Sequence, residues 1–185
     1  MSLKKNLESK ILKEPDRQVF FFDESRFGTH SRLGHGWFKT GSRECVKKCL
    51  GYKNFYVYTA VSPQTGGEFS IIAPTVNIDW MNLYLQKMSQ WLNNKPIFIV
   101  MDQAGWHITK KLIVPDNIKI IFLPPYSPEL NPVERLWKYI KDNVLKNTLY
   151  EELSALESDL CDFIKTISAD IIKSVCSAGY MSCYL

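Results

Sequence analysis

The chain has 185 residues, with 45% hydrophobic, 13% aromatic and 23% charged side chains and a formal net charge of +4, a composition that predicts one globular domain with a sizeable core. No apolar run approaches the ~20 residues a membrane helix needs, and the opening stretch MSLKKNLESKILKEPD lacks the apolar centre of a signal peptide. An odd count of five cysteines argues for reduced thiols rather than a disulfide framework, so the expectation is a soluble, cytoplasmic protein with no membrane partner.

In chain order, residues 1–17 read as a charged arm or short helix. QVFFFDES (18–25) follows, and its run Val19–Phe22 is apolar at every position, the signature of a strand buried on both faces. Residues 25–54 carry Arg26, Arg32, Lys39, Arg43, Lys47, Lys48 and Lys53 against Glu44 alone, a local charge of +6 that leaves the remainder at −2. Interleaved glycines and aromatics make this segment a candidate phosphate-contacting loop, with a solvated surface insertion as the alternative. Cys45, Cys49, His30 and His35 would be the material for a zinc site, but their spacing fits no common zinc-finger pattern.

NFYVYTAVSP (54–63) and GEFSIIAP (67–74) are β-rich runs joined by Gln64-Thr65-Gly66-Gly67, a hairpin signal. Residues 78–93 place apolar side chains at helical spacing, with Asn77 as N-cap. KPIFIVMD (95–102) is a second fully apolar strand, 105–112 a short helix, and NIKIIFLPP (117–125) a third buried strand stopped by Pro124 and Pro125. A helix over 132–146 has Val133, Leu136, Trp137, Ile140 and Val144 on its core face. Leucines from Leu149 to Leu160, then Phe163 and Ile167, continue the helical spacing, and a short helix and tail end the chain. One domain over 18–148, with helices from 149–185 packed on it, accounts for this order.

The order implies an α/β fold, a mixed five-stranded sheet flanked by helices. Right-handed crossovers lay the 95–102 strand parallel to and beside the first strand, with the hairpin on its other side. Sites in open α/β sheets form where the connections part, at the C-terminal ends of the central strands. Two strands end in acids there, at Asp23-Glu24 and at Asp102. Adjacent strand residues point to opposite faces, so one of Asp23 and Glu24 faces the crevice, and the pattern alone does not choose. Clustered carboxylates repel unless a cation lies between them, and a hard divalent ion with oxygen ligands is the natural partner.

A third acid comes from LPPYSPELNPVERLW (123–137). Asn131-Pro132-Val133-Glu134 also reads as a capping box, a purely structural device. The roles are compatible, because a carboxylate in the first helical turn is favoured by the helix dipole. Glu129 competes but lies in the loop. Tyr126 and Ser127 read as packing and a turn hydroxyl.

FFFDES, MDQAGWH and LPPYSPELNPVERLW resemble, in order, the three signature blocks of DDE-type transposases of the mariner-like superfamily, in its bacterial insertion-sequence branch. The resemblance covers roughly 18–145 and implies a ribonuclease-H-like fold. It implies Asp23, Asp102 and Glu134 as catalytic acids holding two Mg²⁺ or Mn²⁺ ions. The chemistry it implies is in-line attack on a DNA phosphodiester, first by water and then by the freed 3′-hydroxyl. It selects Asp23 over Glu24. It makes His107 a substrate contact or a neighbour of the metal ligands, against the alternative of a ring that only closes the short helix on the sheet. Gln103 stands where the family commonly has Asn, and the 31 residues between Asp102 and Glu134 are fewer than is usual there. It further implies double-stranded DNA partners (transposon ends and target), a homodimer in the synaptic complex, a nucleoid-associated location and a helix-turn-helix DNA reader. With 22 residues before Asp23, the chain reads as a catalytic domain alone, either the second product of a split element whose reader is separately encoded or a fragment of a longer protein. The rival readings are an inactive remnant that only binds DNA or dimerises, and a ribonuclease-H-like nuclease acting on other nucleic acids.

Overall fold

The computed structural model describes residues 13–30, 50–105, 107, 109–146 and 148–177. Strand β1 spans Gln18–His30, β2 Leu50–Val61 and β3 Glu68–Ala73. Helix α1 (Ile78–Trp91) leads into β4 (Ile97–Met101) and β5 (Ile118–Phe122). A 3₁₀ turn at Pro128–Leu130 precedes α2 (Val133–Val144), α3 (Leu153–Thr166) and α4 (Ala169–Cys176). The sheet order is β3-β2-β1-β4-β5. β1 pairs antiparallel with β2, and β2 with β3, while β1 pairs parallel with β4 and β4 with β5. This is the mixed five-stranded α/β sheet expected from the element order.

Period-2 alternation sorts the side chains of β1 between two cores. Val19, Phe21 and Phe27 face α2, α3 and α4, packing with Val133, Leu136, Trp137, Ile140, Leu156 and Ile172. Phe20 and Phe22 face α1, packing with Met81, Tyr84, Leu85 and Met88. All five residues of β4 are buried, as a central parallel strand requires. The hairpin closes through Ser62 and Gly67, with Gly66 at φ +74° supplying the left-handed backbone the turn needs. Asn77 caps α1 through its Oδ1, which accepts from the Trp80 N–H at 2.9 Å.

Several expectations are corrected. The basic segment 25–54 is strand at both ends, because β1 runs on to His30 and β2 begins at Leu50, so Ser25–Gly28 pair with Asn54–Val57. Backbone pairing with a neighbour overrides the glycine-rich composition there. Arg26 lies exposed on this ribbon. Arg32, Lys39, Arg43, Lys47, Lys48, His35, Cys45 and Cys49 lie outside the described residues, as do residues 1–12 and the tail from 178. The described residues of 105–112 form turns, not a helix. β5 is an edge strand, buried on one side, with Lys119 exposed and paired to Glu14 at 2.5 Å. α3 starts at Leu153 rather than Leu149, which is left exposed.

Candidate active site

Asp23 and Glu24 leave β1 on opposite faces, as strand geometry demands. Asp23 continues the Val19–Phe21 face toward α2. There its Oδ2 accepts a 2.9 Å hydrogen bond from the indole Nε1 of Trp137. Glu24 continues the Phe20–Phe22 face. There its Oε1 lies 3.0 Å from Nε2 of His107, which is itself 1% exposed. Nδ1 of His107 lies 2.7 Å from Oδ1 of Asp102, just past the end of β4. The imidazole therefore bridges Glu24 and Asp102, two acids 78 positions apart, with Phe22 set edge-on to the ring at 5.7 Å.

Glu134 enters from the first turn of α2 and is exposed. The start of that helix is pinned by Asn131, which is 5% exposed. Its Nδ2 donates to the Phe22 carbonyl at 2.9 Å and its Oδ1 accepts from the Val133 N–H at 3.2 Å. The expected capping box does not form in full: the Asn131 N–H goes to the Pro128 carbonyl at 2.9 Å rather than to Glu134. Asn131 instead ties α2 to the backbone beside Asp23, in the middle of β1, and Glu134 lies in the first turn of the helix so held.

A cleft of about 430 Å³ has Asp23, Asp102 and Glu134 in its lining, together with Gln103, Asn131 and the proline-rich turn 124–128. Gln103 anchors one wall by donating to the Leu123 carbonyl at 2.8 Å. A second cleft shares Asp23, Asp102 and Ala104 and is bounded by Glu24, Arg26, Tyr56 and Thr75. The two clefts share these acids and so adjoin there as one trough.

The electrostatics of the acids are uneven. Burial, then the charges of Glu134 and Glu24, push the Asp23 carboxyl up to about 8, against the opposing Trp137 N–H. The Asp102 carboxyl is held below its ordinary value, first by the hydrogen bond with His107. Burial opposes a charge on His107, but its bonds to Asp102 and Glu24 outweigh that and hold the imidazole up to about 9. At neutral pH His107 is therefore an imidazolium whose two N–H groups both donate to carboxylates.

The donor set consists of carboxylate oxygens, the chemistry of a hard divalent ion. Burial first, and then the charges of Glu134 and Glu24, raise the Asp23 carboxyl, and a cation in the cleft would relieve the repulsion among these acids. Among the described residues, no three His, Cys, Asp or Glu side chains already close into a cage around one point. The acids line a common cleft, and Asp23 and Glu134 interact through charge.

Of the residues that sequence reading put forward, Asp23, Asp102 and Glu134 line this cleft, Glu24 borders the second one, and His107 lies buried between Glu24 and Asp102. It missed Trp137, assigned only to the core. The available signal was the indole N–H, which seeks a partner when buried. It missed the tie from Asn131 to β1, and it took Tyr126 for packing. Tyr126 is fully exposed and has a left-handed backbone, φ +56°.

A mixed sheet of this order, with Asp23 in the middle of a first strand that runs on past its acids rather than ending there, Asp102 just past the fourth strand and Glu134 on the helix that follows the fifth, defines a ribonuclease-H-like fold with a carboxylate-lined cleft. Residues 18–157 match the family model of the DDE superfamily endonucleases, and the chain belongs to that family. It is 37% identical over 107 residues to the uncharacterized protein y4pE/y4sA of Sinorhizobium fredii, covering 57% of this chain and 79% of that one. It is 23% identical over 159 residues to the 39 kDa protein of insertion element IS630 of Shigella sonnei, covering 83% of this chain and 46% of that protein. The chain thus spans about half the length of the insertion-element protein. Its fold is similar to that of the Mos1 mariner transposase in the paired end complex with Mn. The TM-score is 0.72 at 13% identity, over 94% of this chain and 56% of that one. Among the described residues no helix is long and apolar enough to cross a membrane.

Proposed function

We propose that this chain is the catalytic portion of an insertion-sequence transposase, a metal-dependent endonuclease and strand transferase acting on double-stranded DNA. The observation that carries the reading is that Asp23, Asp102 and Glu134, from three elements far apart in sequence, line one cleft in a chain of the DDE endonuclease family. In this reading they are the catalytic acids and the residues that hold Mg²⁺ or Mn²⁺. Two bound divalent ions would supply charge stabilisation to the attacked phosphate and to the attacking and leaving oxygens. Trp137 orients Asp23 through its N–H. His107, backed by Glu24, orients Asp102 and occupies its Oδ1, together with the Ala104 N–H at 3.1 Å. Among the described residues that leaves Oδ2 without a hydrogen bond.

Arg26, which lines the second cleft, is placed to meet a DNA phosphate. Arg32, Lys39, Arg43, Lys47 and Lys48 would extend that basic surface. A Mos1 transposase paired-end complex with left transposon end, similar in fold, supports transposon ends as substrate, and in this reading the working unit is a homodimer. The protein would act in the cytoplasm, at the nucleoid.

Calorimetric titration with Mn²⁺ of the parent and of Asp102→Ala, alone and with a short duplex, tests the reading. Binding in the parent that collapses in the variant, together with Mn²⁺-dependent nicking of supercoiled plasmid by the parent alone, is expected. Absence of binding with and without DNA overturns it.

A further inference from the structure

The proline-rich turn raises a question that the acids do not answer. Tyr126 projects from it fully exposed, although large aromatic rings normally seek burial. Its backbone sits at φ +56°, a region that a bulky L-residue enters only at an energetic cost. Pro124, Pro125 and Pro128 flank it and fix the backbone of the turn that carries it. The turn lines the same cleft as Asp23, Asp102 and Glu134. The adjoining cleft, which shares Asp23 and Asp102, is lined by Arg26 and Tyr56.

Resting on the DNA-cutting function proposed above, we propose that Tyr126 is a stacking platform for a nucleobase next to the scissile phosphate. A phosphate at the acids leaves the adjoining base within the same trough, where an exposed ring on a stiff turn offers it a π-face. Stacking needs no particular base, so the contact fixes the strand's position rather than reading its sequence. It also favours an unstacked or nicked end over an intact duplex, because only a base released from its neighbours presents a free face. Tyr126 is in this sense a positioning residue for the substrate strand.

The test uses the parent chain in Ca²⁺ with a short duplex nicked at its centre, in which the bases flanking the nick are replaced by iododeoxyuridine. Affinity is measured by fluorescence anisotropy, and photo-crosslinks are mapped by mass spectrometry. The expected result is a crosslink at Tyr126, near-parental affinity for Tyr126→Phe, and a loss of roughly 5- to 150-fold for Tyr126→Ala and Tyr126→Leu, the range of one base stack. Parental affinity in Tyr126→Ala, or a loss of affinity with crosslinks that avoid position 126, overturns the inference and leaves the DNA-cutting function standing. A parent that does not bind the nicked duplex overturns both.

Discussion

The indole Nε1 of Trp137, on α2, donates a 2.9 Å hydrogen bond to Oδ2 of Asp23, on β1, across 114 positions of sequence. One side chain thus belongs both to the core, where it lies edge-on to Phe27 at 5.9 Å, and to the acid site. Trp137→Phe removes the N–H and keeps most of the ring. Because the Asp23 carboxyl is held up at about 8, the lost bond resembles one to a neutral acceptor and costs about 1 kcal/mol of stability. Urea denaturation checks this. Mn²⁺ affinity is expected to fall as well, since Asp23 loses its orienting donor; a variant that binds Mn²⁺ like the parent would confine Trp137 to packing.

Glu134→Gln is expected to abolish metal-dependent plasmid nicking and to leave stability within about 0.5 kcal/mol of the parent, the range for exposed positions. Glu134 is exposed and does not close the capping box, so no cap is lost, and the repulsion it exerts on Asp23 disappears. Nicking at the parental rate would remove Glu134 from the catalytic set. A large drop in melting temperature would restore a structural role.

His107→Ala strips Glu24 and Asp102 of the donor they share. Glu24 is 9% exposed at its side chain, and removing one member of a buried ion pair costs on the order of 3 kcal/mol. Asp102 is 57% exposed and adds little to that figure, because solvent screens it. Glu24→Gln keeps a hydrogen-bonding group opposite the ring and is expected to cost clearly less. Chemical denaturation of both variants decides the order, and equal losses would show that the charge of Glu24, not the packing of the ring, carries the bridge's contribution.

The Cys176 thiol is fully buried against α2 and α3, and that burial pushes it up to about 12. The thiolate is the reactive species, so a raised pKa means less of it at any given pH. Between pH 7 and pH 9, iodoacetamide is expected to label Cys161, which is partly exposed, increasingly with pH. Cys176 should stay unlabelled until the protein is unfolded. Peptide mass mapping reads each position separately; labelling of native Cys176 at pH 9 would show that α4 opens from the sheet.

The sequence by itself determined the apolar strands, the hairpin, the longer amphipathic helices and the sheet order, and it brought forward Asp23-Glu24, Asp102 and Glu134 as candidate acids. These features are carried by local patterns: unbroken apolar runs for buried strands, helical spacing for amphipathic helices, and a charged residue where an apolar run stops. Tertiary structure decided how the acids divide. Asp23 turns to Trp137 and Glu134, and Glu24 to His107, because period-2 alternation sends neighbours to opposite faces and only the packed helices reveal what waits on each. It also extended β1 and β2 into a glycine-rich basic segment, since ladder pairing is supplied by another stretch of chain. Asn131 bonded to Phe22, Trp137 to Asp23 and His107 to Glu24 join residues 109, 114 and 83 positions apart. No local pattern encodes such distances; they exist only once the sheet brings its elements together.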